Sequence, residues 1–174
     1  MDLKEILLTH HSSIASREQG VAFINQHPEF FPSLLELTCT PQEKRENILA
    51  SWILEKYVIE KLSCLDSYLI IFLKGAKQQT NESKKRAMAK ILYYYCRNED
   101  RRKLLSTQKI DLIIDICFSY LLTFKQLAPL CFALKTLHFF RKHQAWIEEE
   151  MQAFFEKNLP NSSPGFRAAV RQIS

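Results

Sequence analysis

The sequence predicts an all-α protein, a short right-handed solenoid of antiparallel helix pairs, and three observations carry that expectation. Glycine is scarce, with three among 174 residues, against a usual share of about 7%. Sheets need glycine for tight turns and phosphate-binding loops need it for close backbone approach, so its scarcity favours helices joined by plain connections. Helix-start signals recur along the chain, with apolar residues at helical spacing between them. Comparable apolar centres such as Leu35, Leu69 and Ile113 lie about 35 to 44 residues apart, the period of stacked helix pairs.

Two short N-terminal helices come first, over roughly 2–12 and 17–27, and the rest pair up. First members are expected over 29–38, 62–76, 107–122 and 144–158; second members over 41–60, 81–98, 125–142 and 164–173. Thr40-Pro41-Gln42-Glu43 reads as a helix start: hydroxyl cap, proline at the first helical position, and glutamate placed to close a capping box. Ser163-Pro164 repeats the cap and proline before the last helix. Thr107 opens a helix with apolar residues at 110, 113, 114, 117, 118 and 121, while Leu112, Ile116 and Tyr120 form a second stripe. A helix apolar on more than one face needs neighbours on more than one side. The expected architecture is therefore a HEAT/ARM-like α-α superhelix. One domain spans 1–174, with 1–27 as capping helices and 28–174 as about four pairs, each buried against its neighbours.

Composition sets the class. Hydrophobic residues make up 47% and charged residues 25%, which fits a folded soluble chain. Net charge is +5, which permits an acidic partner without requiring one. The five cysteines at 39, 64, 96, 117 and 131 form no C-x-x-C pair and lie among apolar neighbours. Free, buried, reduced thiols and a cytoplasmic location are expected. The opening "MDLKEILL" carries acids and too short an apolar run for a signal peptide. Lys125 and Pro129 break the longest nearly uncharged window, Ile116 to Leu134, so no membrane span is expected.

"SREQ" at 16, "ASWILEKY" at 50, "RAMAKIL" at 86, "IIDICFSYLL" at 113, "ALKTL" at 133 and "FRAAVRQI" at 166 resemble a family of small, uncharacterised bacterial HEAT-like repeat proteins. Some of these carry the automatic label adenylosuccinate lyase. The resemblance runs over roughly 16–174 and rests on packing motifs, so it implies the fold and carries over no functional residue. The lyase label is not expected to hold here. Adenylosuccinate lyases are much longer chains with a mobile loop rich in serine, glycine, methionine, lysine and asparagine, and nothing in this sequence resembles that loop.

Charge is unevenly shared between the two sets of helices. Lysine and arginine against aspartate and glutamate leave a net −5 on the first members, with Lys61 counted in the second of them, and +9 on the second members. In HEAT-like stacks the second helix usually lines the concave surface, which implies a basic inner face and an acidic outer one. The stretch "KKRAMAKILYYYCRNEDRRK" from Lys84 carries much of this charge. There Arg86, Lys90, Tyr93 and Arg97 share one helical stripe, opposite Met88, Ile91, Leu92 and Tyr95, with Tyr94 on the flank. Lys135, Phe139 and Lys142 make a similar stripe, and Arg167 with Arg171 another. Against this stands the plainer reading, in which such stripes are solvated faces whose lysine stems cover apolar surface.

No motif identifies a reaction. His138 and His143 are five apart, off the i, i+4 spacing of helical metal pairs, and no acid or cysteine completes a set with them or with His10, His11 and His27. Asp111 and Asp115 lie one turn apart on an otherwise apolar helix, which marks its solvent edge. DNA alkylation-repair glycosylases, which use a HEAT-like fold with a basic concave face, would need converging aromatics and an aspartate. Trp52 with Asp66 or Asp115 could be nominated, but Trp52 falls at core spacing with Ile48, Leu49 and Ile53. The expectation is a non-catalytic binding scaffold without cofactor or metal. Its partner-binding residues are Arg86, Lys90, Tyr93, Arg97, Lys135, Lys142, Arg167 and Arg171, directed at an acidic protein partner. Nucleic-acid binding by the same face is the alternative, and an enzyme of unknown reaction is the third reading.

Overall fold

A computed structural model describes Leu3, Leu7 and residues 13–123 and 127–173, with the backbone alone at 127–129 and 169. Among the described residues every regular element is helical. Helix α1 covers Ile14–Gln26, α2 Phe31–Cys39, α3 Arg45–Glu60, α4 Leu69–Lys77 and α5 Glu82–Arg97. Five more follow: α6 Glu99–Lys103, α7 Thr107–Thr123, α8 Leu127–Phe140, α9 Trp146–Asn158 and α10 Pro164–Arg171. Short 3₁₀ segments, Pro28–Phe30 and Leu62–Tyr68, lead into α2 and α4. None of these helices is long and apolar enough to cross a membrane, among the described residues. The chain divides into two compact units, 1–91 and 92–174, with the division falling within α5.

In the first unit, α3 packs on both α1 and α2, and α4 lies against α2. The core holds Leu34, Leu35, Leu54, Leu65, Phe72 and Met88, joined by Leu3 and Leu7 from the N-terminal stretch. Helices α2 and α4 approach closely at Gly75. A Cβ there would meet Cys39 Sγ at 2.5 Å and Cys39 Cα at 2.9 Å, so only glycine lets the two backbones come so near. Helix α1 meets α3 in the same way at Gly20, but there the obstacle is the Ile53 side chain, with Cγ1 at 2.8 Å.

The second unit is built around α8, which touches α7, α9 and α10. Its core holds Ile113, Ile116, Tyr120, Leu134, Leu137, Ile147 and Phe166. The two apolar stripes expected on α7 are both used: Ile113, Cys117 and Leu121 are buried, and so are Ile116 and Tyr120. Asp111 and Asp115 lie exposed at its solvent edge.

The helix start expected at Thr40 is corrected. Thr40 ends α2, and α3 begins only at Arg45 with Lys44 as its cap residue. The capping box does not close because Glu43 instead accepts the Thr80 hydroxyl at 2.9 Å. The connection 40–44 is fastened by buried polar side chains from later in the chain. Gln79 Nε2 donates to the carbonyls of Cys39 at 2.8 Å and Thr40 at 3.3 Å. The Lys84 ammonium donates to the carbonyls of Thr40 and Gln42. The helix expected to open at Thr107 does so, with the Ser106 hydroxyl just before it accepting the Lys109 N–H. The Ser163 cap forms as expected, accepting the Phe166 N–H at 3.3 Å. Of the expected first helix, 2–12, all but Leu3 and Leu7 lies outside the described residues.

A candidate interaction face on α5 and α8

The tyrosine triplet of α5 separates by helical rotation. Tyr95 is buried in the core, while Tyr93 and Tyr94 are half-buried. In the second unit Tyr93 meets α8. Its ring centre lies 5.6 Å from Phe132 and 6.1 Å from Phe139, nearly parallel to the latter at 17°. Tyr94 closes the cluster edge-on at 5.2 Å. Such ring pairs contribute about 0.5–1.5 kcal/mol beyond the area they bury.

Two cations stand over rings of this cluster. Lys135 Nζ lies 5.9 Å from the Tyr93 ring centre, and the Arg102 guanidinium lies 4.9 Å from that of Phe139. Arg102 is held in place because it also donates to the Cys96 carbonyl at 2.7 Å. It comes from α6, five residues that Asn98 starts by accepting the Arg101 N–H at 3.1 Å. The sequence reading missed Arg102 because the expected helix ends at 98 and the residues from 99 to 106 belong to no expected element. The cap signal was legible: Asn98 followed by Glu99 and Asp100 is a helix start.

The structure thus brings together Tyr93, Lys135 and Phe139 of the expected stripes. Arg97 and Lys142 belong to the same unit and are exposed. Arg167 and Arg171 are exposed on α10, and no ring or ion contact among the described residues ties them to the cluster. In the first unit Arg86 is exposed, while Lys90 is half-buried and committed to Glu55 on α3 at 2.7 Å. Much of the Lys90 charge is therefore answered inside the protein. Lys84, the first residue of the basic stretch, is 0% exposed and serves the 40–44 connection.

No cluster of three metal-ligating side chains occurs among the described residues. His143 Nε2 lies 3.1 Å from Asp111, and Arg141 donates to the His138 ring at 2.8 Å. Burial and that guanidinium lower the His138 pKa. His27 sits beside Glu29 at 3.3 Å, and His10 and His11 lie outside the described residues. Trp52 is half-buried with the Arg17 guanidinium 4.7 Å from its ring, and Asp66 is exposed. None of the five cysteines forms a disulfide; Cys96 and Cys117 are buried and Cys39, Cys64 and Cys131 half-buried. Burial pushes the Cys39 and Cys96 thiols up to about 12, so neither is a ready nucleophile.

No protein-family model, curated protein or solved structure matches this chain. The α5–α8 face is therefore read from its own chemistry.

Proposed function

We propose that this protein is a non-catalytic, HEAT/ARM-like helical-repeat adaptor that contacts an acidic protein partner through its basic, aromatic second-member helices. The observation that carries the reading is the Tyr93–Phe132–Phe139 ring cluster with Lys135 and Arg102 over its faces. Half-buried rings held by their neighbours present flat contact area at small entropic cost, and aromatic and arginine side chains are enriched where interfaces are anchored. The surrounding cations steer and orient an acidic surface. Packing of α2 on α4, and of α8 on α7, α9 and α10, supports stacked pairs, as does the resemblance to small bacterial HEAT-like proteins.

Nucleic-acid binding by the same face is the second reading, favoured by ring faces lying beside cations. That is the combination on which single-stranded bases stack while phosphates are neutralised.

The test is capture from native extract with the wild-type protein and with an Arg97→Glu/Lys135→Glu variant, repeated across salt. Both substituted side chains reach solvent, so the variant should fold. Loss of a specific acidic partner from the variant is expected, and retention of every partner would sink the reading. Labelled single strands and duplexes supply the second arm. Nucleic-acid binding requires log affinity to fall with log salt at about −0.9 per ion pair on duplex and about −0.7 on single strands. Absence of binding at low salt removes that alternative.

A further inference from the structure

The second unit carries another surface that the basic face does not explain. A groove of about 830 Å³ runs between α7 and α9. Its floor and walls are apolar, with Phe118, Leu121, Leu122, Trp146 and Phe154 among the lining residues. Leu122 is 84% exposed and Trp146 44% exposed, although the Trp146 ring packs 5.3 Å from Phe118. Large apolar side chains held in a cleft yet open to water mark a contact surface. The rim is acidic. Asp111, Asp115 and Glu150 line it, with Lys157 as the cation among the lining side chains. Helix α9 adds Glu148, Glu149 and Glu156 on a span whose net charge is −3, in a chain whose total is +5.

We infer that this groove binds a basic amphipathic helix of a partner protein. The shape argument is one of length: α9 has thirteen residues, about 20 Å of helix, enough to lie alongside three or four turns of a partner. Such a helix would set apolar residues at i, i+3, i+4 and i+7 into the cleft. Charge complementarity selects its other face. Lysine and arginine flanking those anchors meet the carboxylates of α7 and α9, whereas an acidic helix is repelled by them. The surface differs in sign and in composition from the α5–α8 face, so the inference stands whether or not that face has an acidic partner.

The probe is a labelled eighteen-residue leucine/lysine peptide with leucine at helical anchor spacing, titrated by anisotropy and by Trp146 emission. Controls are a scrambled peptide of the same composition and a leucine/glutamate version. The expected result is saturable binding of the amphipathic basic peptide alone, weakened at least tenfold by Leu122→Glu or Ala153→Arg and severalfold by Glu150→Lys. All three positions are exposed, so the variants should keep the wild-type melting curve. Binding that ignores these substitutions, equal binding of the scrambled or acidic peptide, or no binding overturns the inference. So does concentration-dependent self-association that the same substitutions abolish, which would make a second copy of the chain the occupant.

Discussion

Gly75 and Lys84 hold the first unit together for opposite reasons. At Gly75 a methyl group has no room, because the obstacles are the Cβ and backbone of Cys39 rather than a movable side-chain tip. Gly75→Ala is expected to cost about 1–3 kcal/mol, the usual range for overpacking. Gly20→Ala should cost less, since the Ile53 side chain can turn away; urea midpoints of the two variants decide the order. Lys84 is a buried cation satisfied by carbonyl oxygens. Lys84→Met strands those carbonyls and should cost about 1–3 kcal/mol. Its pH dependence has a definite sign. Burial lowers the Lys84 pKa, with Cys39 and Glu43 opposing, so the unfolded chain keeps the proton to higher pH than the native one. Wild-type stability therefore rises with pH from the native pKa to the ordinary lysine value, and falls again as pH drops back through that window. Lys84→Met lacks this rise. Urea titrations of both proteins at pH 8 and pH 10 would show it.

At the level of helices, caps discriminate between the helix start that formed and the one that did not. Ser163→Ala removes the acceptor of the Phe166 N–H and should cost about 1 kcal/mol. Thr40→Ala should change stability by no more than about 0.5 kcal/mol, because Thr40 acts through its backbone carbonyl. Thermal melts of the pair test both expectations. The same contrast shows what was legible in the sequence. Helices α2, α3, α5 and α7 to α10 fall close to their expected spans because their apolar spacing sets both existence and length, whereas the helix expected over 62–76 is α-helical only from Leu69, after the 3₁₀ turn Leu62–Tyr68. Thr-Pro-Gln-Glu misled because its carboxylate found a better partner in Thr80, thirty-seven residues away, and local pattern carries no trace of that. The α5–α8 face was half legible. Periodicity placed Tyr93, Lys135 and Phe139 on outward stripes, but that Lys90 would be claimed by Glu55 depends on how α3 and α5 pack.

For the molecule as a whole, thiol chemistry reports on integrity. Burial raises the pKa of Cys39, Cys96, Cys117 and Cys131, which starves each of thiolate at neutral pH. In native protein at pH 8 a disulfide reagent should leave Cys96 and Cys117 unmodified, and all five cysteines should react in urea. Rapid native labelling of Cys96 or Cys117 would show that the core opens. The two-signed surface has its own signature. Raising salt should weaken capture at the basic face and peptide binding at the acidic groove alike, since both use exposed charges.

The fastening of the 40–44 connection bears on how the chain is made. Its carbonyls wait for donors thirty-nine to forty-four positions downstream, so during vectorial synthesis the bend between α2 and α3 emerges from the ribosome before anything can tie it. Until Gln79 and Lys84 arrive, that elbow stays wet and open to a protease, and a chain stalled short of them should be cut there first.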